Sequence, residues 1–126
     1  MTVPHERMRS IGWGRELLAA LQLDATIAEE IQQEAAHLEA TYPTVEELLH
    51  LLKNPDGDLT SAAAQAIEEA RVLFETVRQL GLGCDATQRH LLFTMRHFPL
   101  RGWSAQAMEA SRRGRLDQWL APDPGC

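Results

Sequence analysis

Asn54, Asp56, Asp58 and Thr60 place an oxygen donor at every second position of NPDGDLTSAAAQ, as at the start of a calcium-binding loop. Such a loop needs glycine at its sixth position and a bidentate carboxylate at its twelfth. Here Gly57 stands fourth, Gln65 twelfth, and Pro55 lies inside. A turn followed by a helix cap accounts for every residue of the stretch. His90 and His97, seven apart, share a helix face, and Cys84 precedes them. Zinc requires three or four converging ligands with supporting hydrogen bonds. Arg89 and Arg96 beside the histidines oppose a bound cation, so a solvated basic face is expected. No metal site and no cofactor are expected.

Catalytic signatures are equally sparse. The chain has no G-x-S-x-G elbow, no phosphate-cradling glycine loop and no H-E-x-x-H. The acidic pairs Glu29-Glu30, Glu46-Glu47 and Glu68-Glu69 are adjacent, and adjacent residues point to different sides of a helix. An active site assembled across helices would leave no local motif. No catalytic residue is assigned, and the reading is of a protein that is not an enzyme.

Charge is strongly polarised. Residues 16–47 hold eight acids and no Lys or Arg, and six of those acids form a candidate partner-binding face: Glu29, Glu30, Glu34, Glu39, Glu46 and Glu47. Residues 89–115 hold Arg89, Arg96, Arg101, Arg112, Arg113 and Arg115 against one acid, Glu109, a candidate anion-binding segment. Either the two regions neutralise each other within the fold, or one of them recruits a partner of opposite charge. Arginine outnumbers lysine eleven to one, and its fork suits fixed pairing with carboxylates or phosphates under both readings.

The elements that must carry these charges are helices. Ile11, Leu17, Leu18 and Leu21 share one face of a first helix from Val3 to about Leu23. Gly12 and Gly14 weaken its middle by about 1 kcal/mol each relative to alanine, or allow a close approach beside Trp13. Asp24 or Thr26 is placed to cap a second helix with a stripe of Ile27, Ile31, Ala35, Leu38 and Tyr42. Pro43 stops it. Thr44 then caps a short third helix, VEELLHLLK.

After the NPDGD turn, a long helix opens at Thr60 or Ser61 and buries Ala63, Ala66, Ile67, Ala70, Leu73, Phe74 and Val77. GLGCD breaks it, and Asp85 or Thr87 starts another with Leu91, Leu92, Met95 and Phe98 on one side. Pro99 interrupts, and WSAQAMEASRR reads as a short helix. The expected fold is all-α, one helical domain of six or seven helices over residues 1–126. Residues 113–126 form a last turn and a tail.

Sliding the chain on itself by 56 residues places Ile11 on Ile67, Arg15 on Arg71, Leu17 on Leu73, Leu18 on Phe74 and Leu21 on Val77. It also sets Tyr42-Pro43 on Phe98-Pro99. Only five positions are identical between 8–43 and 64–99, but the order of helix, break and apolar face agrees. The expectation is an internal duplication, residues 3–53 and 60–112. Each aromatic-proline pair is then read as a structural corner: proline ends the helix and the ring plugs the bend, burial contributing about 1.5–3 kcal/mol. The alternative is a pair of rings lining a pocket between the halves.

The first 45 residues resemble a group of short bacterial proteins that begin Met-Thr-x-Pro-x-Glu-Arg-x-Arg and reach a Tyr-Pro after the second helix. Pro4, Glu6, Arg7, Arg9, Tyr42 and Pro43 carry the likeness. Met8 and the acidic residue before the Tyr42 corner depart from it. The resemblance implies a compact helical unit and brings no activity.

No apolar run approaches the roughly 20 residues of a membrane span, and the charged start MTVPHERMRS lacks the apolar core of a secretory signal. Two cysteines, Cys84 and Cys126, suit a reducing cytoplasm better than a disulfide scaffold, although a bridge between them is the alternative. The functional expectation is a protein-binding module of the immunity-protein, antitoxin or defence-inhibitor type, whose acidic face neutralises a basic toxin or effector. The alternatives are a nucleic-acid-binding regulator using the 89–115 arginines, disfavoured by the net charge of −6, and a self-assembling scaffold. In the last, Trp13, Val72, Phe93 and Trp119 would make a homodimer contact.

Overall fold

The structure, a computed structural model, describes residues 4–53 and 61–100. They form five helices: α1 (Pro4–Leu23), α2 (Glu29–Thr41), α3 (Val45–Lys53), α4 (Ser61–Gln79) and α5 (Asp85–Arg96). Among the described residues there is no strand, and the chain is all-α. The segments 54–60 and 101–126, with NPDGD and the helical reading of WSAQAMEASRR, lie outside the described residues.

The apolar stripes assemble as their spacing requires. Ile11, Leu17, Leu18 and Leu21 of α1 and Ile67, Ala70, Phe74 and Val77 of α4 are fully buried. Leu38 of α2 and Leu91 of α5 join the same core. Both α1 and α4 pack along α2 and α5, so the four helices run round a ring with α2 and α5 at opposite corners. Leu92, expected on the buried stripe, is instead exposed. One position along a helix is a turn of 100°, and Leu91 and Met95 already fill the inward face.

Helix α5 starts at Asp85, one of its two expected starts, whereas the expected cap of α2 by Asp24 or Thr26 is not made. The N-cap residues of α2 and α5 are Ala28 and Cys84, and neither side chain makes a capping bond. Asp24 is occupied elsewhere. One of its oxygens accepts the Thr26 amide at 2.9 Å and hydroxyl at 2.6 Å; the other accepts the Cys84 amide at 2.9 Å and the Thr87 hydroxyl at 2.6 Å. This carboxylate therefore ties the end of α1 to the start of α5. Thr44 does cap α3, its hydroxyl accepting the Glu47 amide at 3.1 Å. A Schellman turn closes α4: the Leu82 amide bonds to the Val77 carbonyl and the Gly81 amide to that of Arg78.

The 56-residue offset recurs in the geometry. It carries the end of α1, Leu23, onto Gln79, the end of α4, and the start of α2, Glu29, onto Asp85, the start of α5. Every buried position described on α1 falls on a buried position of α4. The five identities each do one job twice. Ile11 and Ile67, Leu17 and Leu73, and Pro43 and Pro99 are buried. Gln32 and Gln88 both donate side-chain N–H to a carbonyl of the preceding turn, those of Asp24 and Leu82. Arg15 donates to the Tyr42 carbonyl at 2.8 Å, and Arg71 to the Phe98 carbonyl at 3.0 Å.

Those arginines hold the aromatic-proline corners. Proline cannot continue the helix, so carbonyls before it lose their intrahelical donors. Arg15 also reaches the Glu39 carbonyl and Arg71 the Pro99 carbonyl. Arg15→Ala and Arg71→Ala are each expected to destabilise by a similar amount, about 1–3 kcal/mol, in urea unfolding. A loss confined to one of them would contradict equivalent roles.

Candidate functional site

The six acidic candidates lie on α2 and α3. Glu29, Glu30 and Glu34 of α2 and Glu46 and Glu47 of α3 are exposed, and Glu39 is half-buried. Glu29 and Glu30 stand in the first turn of α2, and Glu46 and Glu47 in that of α3, where the helix dipole favours negative charge. A Gln33 amide donates to Glu29 at 3.2 Å. Among the described residues no ion pair joins any of the six to an arginine. Four of the acids ride on α2, whereas Arg89 and Arg96 ride on α5 at the opposite corner, both exposed. Arg101, Arg112, Arg113 and Arg115 lie outside the described residues.

The corner residues are structural in their contacts. Tyr42 and Phe98 are buried, as are Pro43 and Pro99. The Tyr42 hydroxyl donates to the Ile11 carbonyl at 2.5 Å, and burial pushes its ionisation well above the usual range against the pull of Arg15. Phe98 meets Phe74 edge to face, ring centres 5.5 Å apart. Both corner rings converge on Gly14.

The histidines are not on a solvated face. His90 is half-buried, stacked on Phe93 with ring centres 5.3 Å apart. Burial lowers its pKa, opposed by the charge of Glu16 and a hydrogen bond with the Trp13 backbone. His97 faces Glu6 at 3.4 Å. The spacing of seven correctly put both on one side of α5, but that side packs towards α1. Among the described residues no three of His, Cys, Asp and Glu come together as metal ligands.

Two helices create a feature that the linear motifs did not indicate. Glu6, Arg9 and Trp13 of α1 and Phe93, Arg96 and His97 at the end of α5 line an open cleft of about 180 Å³. The Arg9 guanidinium lies 5.8 Å from the Trp13 ring centre, and Trp13 meets Phe93 edge to face at 5.3 Å. The only signal in the sequence was that Trp13 and Phe93 both stand off their helices' apolar stripes. Cys84 presents an exposed thiol at the far end of α5, within 3.5 Å of the Thr87 hydroxyl.

Among the described residues no helix is long and apolar enough to cross a membrane. Compared with family models, with curated proteins and with solved structures, the chain matches none.

Proposed function

We propose that this protein is a non-enzymatic binding module, one helical unit used twice, that presents the acidic face of α2 and the start of α3 to a basic partner protein. The observation that carries the reading is that Glu29, Glu30, Glu34, Glu46 and Glu47 are exposed and, among the described residues, without an arginine partner, and that α2 stands diagonally across the bundle from the α5 arginines. Among the described residues no ion pair neutralises this charge. Glu30 and Glu34, one turn apart, repel each other at a cost of about 0.2–0.5 kcal/mol. A field of one sign steers an oppositely charged partner and sets its orientation. A toxin or effector with a basic surface is the matching class.

Support for the two-unit construction comes from the paired helix ends, the paired burial and the two arginine-held corners. On that construction residues 101–112 would complete the second unit as α3 completes the first, for six helices or more.

The test is affinity capture by the tagged protein and by Glu30→Lys/Glu34→Lys from lysate of the source cells, at about 50 and about 150 mM salt. The expected result is a basic protein recovered in stoichiometric amount by the wild type and lost by the variant. Equal recovery by both proteins would overturn the acidic-face reading. Nucleic acid recovered at low salt and washed away at the higher would favour a regulator acting through the arginine segment.

A further inference from the structure

The two halves serve as controls for each other. The α1–α5 seam, with its cleft, corresponds through the 56-residue offset to the α4–α2 seam. There, the counterparts of Glu6, Arg9 and Trp13 are Ala62, Gln65 and Glu69, and those of Phe93, Arg96 and His97 are His37, Ala40 and Thr41. The same helix pairing is thus made once with aromatic and arginine side chains and once without them. The aromatic and arginine side chains are therefore particular to the α1–α5 seam.

A second observation falls on the same seam. Ser10 of α1 and Thr94 of α5 are fully buried, and among the described residues theirs are the buried side-chain oxygens without a hydrogen-bond partner. Ser10 stands one turn from both Glu6 and Trp13; Thr94 adjoins Phe93 and stands one turn from His97. Their counterparts Ala66 and Leu38 are apolar. Unsatisfied hydroxyls in an interior are rare and call for an explanation. A seam that is polar beneath and aromatic at its mouth is suited to a ligand.

We propose that the α1–α5 cleft docks an acidic peptide segment of a partner protein, with an apolar side chain against the Trp13 and Phe93 rings and flanking carboxylates on Arg9 and Arg96. Among the described residues that line the cleft, two carry guanidinium groups and one, Glu6, a carboxylate, in a chain whose net charge is −6. Arginine fork geometry favours carboxylates, and Trp and Arg dominate the energetics of protein interfaces. The volume of about 180 Å³ is below that of drug-sized sites and suits a single side chain. This site is separate from the acidic face, on different helices, so either can fail without the other.

The experiment is a nitrogen-15 NMR titration of the full chain with acetyl-Glu-Glu-Phe-Leu-Glu-amide and, separately, with the same peptide carrying Lys for Glu. The acidic peptide is expected to shift Arg9, Trp13, Phe93, Arg96 and His97. Arg96→Glu should weaken its binding at least about tenfold, equivalent to about 1.4 kcal/mol, whereas Arg89→Glu, exposed on α5 but outside the cleft, should not. The spectra themselves report whether each variant folds. Equal shifts with the lysine peptide, no cleft shifts at millimolar acidic peptide, or cleft shifts produced only by an oligothymidylate would overturn the proposal.

Discussion

Gly14→Ala is expected to destabilise the protein by about 1–3 kcal/mol, although alanine is the better helix former by about 1 kcal/mol. A Cβ at this position would lie 2.8 Å from the Phe98 ring and closer still to the Tyr42 hydroxyl. That hydroxyl has little room to yield, being held by the Ile11 carbonyl at 2.5 Å and surrounded by core. The second half solves the same problem differently. Ala70 stands where Gly14 does, and Phe98, without a hydroxyl, stands where Tyr42 does. Tyr42→Phe alone should cost about 1 kcal/mol for the lost hydrogen bond. The double variant recreates the Ala70–Phe98 pairing, so it should be more stable than the sum of the single effects, with a coupling of about 0.5–2 kcal/mol. Urea unfolding of the four proteins checks this. A neutral Gly14→Ala, or strict additivity, would contradict the close approach.

Asp24→Ala is expected to cost about 3 kcal/mol at neutral pH, since it removes charged hydrogen bonds and leaves the buried Thr87 hydroxyl and the part-buried Cys84 amide without their acceptor. Gly83 makes the approach possible. Its φ of +86° suits glycine, and a Cβ there would lie 2.8 Å from a Thr87 methyl and 3.0 Å from the Asp24 carboxylate. The Thr26 hydroxyl, followed by the Thr87 hydroxyl and the Cys84 and Thr26 amides, holds the carboxyl well below its usual range, and burial opposes them only in part. A depressed folded pKa means that the unfolded chain binds the proton first. The stabilisation is therefore complete above the unfolded value of about 4 and drains away as the pH falls below it. Unfolding free energies near pH 7 and near pH 3 should show the gap between wild type and Asp24→Ala narrowing in acid. A gap that is unchanged or wider at pH 3 would contradict this assignment.

These two sites also mark how much of the molecule was legible beforehand. Helical periodicity carried through to the core, because Ile11, Leu17, Ile67 and Phe74 follow a 3.6-residue spacing that packing must respect. The corners were legible because proline dictates a stop wherever it falls. Asp24 was misjudged as a helix cap: local spacing reaches its near partner Thr26, but its other partners, Cys84 and Thr87, are 60 and 63 residues away. The arginine grip on the corners was hidden for the same reason, even though Arg15 and Arg71 were visible as a matched pair. Gly14 read either as a weak point or as room for a close approach beside Trp13, and it is the clearance for two rings, Tyr42 and Phe98. The cleft was the least legible feature, for Trp13 and Phe93 acquire meaning only when α1 and α5 are side by side.

The contrast between what repeats and what diverges gives the account its functional content. Positions identical at the 56-residue offset hold the frame. Positions that differ, the glutamates of α2 against their counterparts on α5 and the cleft residues against theirs on α4 and α2, are free to serve partners. The central claim is that the acidic face belongs to a partner and not to the fold. Urea unfolding of Glu30→Lys/Glu34→Lys beside wild type at low salt tests it most directly. Reversing both charges keeps the repulsion between positions 30 and 34, relieves that with the neighbouring acids and loses the favourable helix-dipole contact, the last two each below about 1 kcal/mol and of opposite sign. The account predicts stability within about 1 kcal/mol of wild type. A loss of several kcal/mol would show that these glutamates are paired inside the structure, and would contradict it.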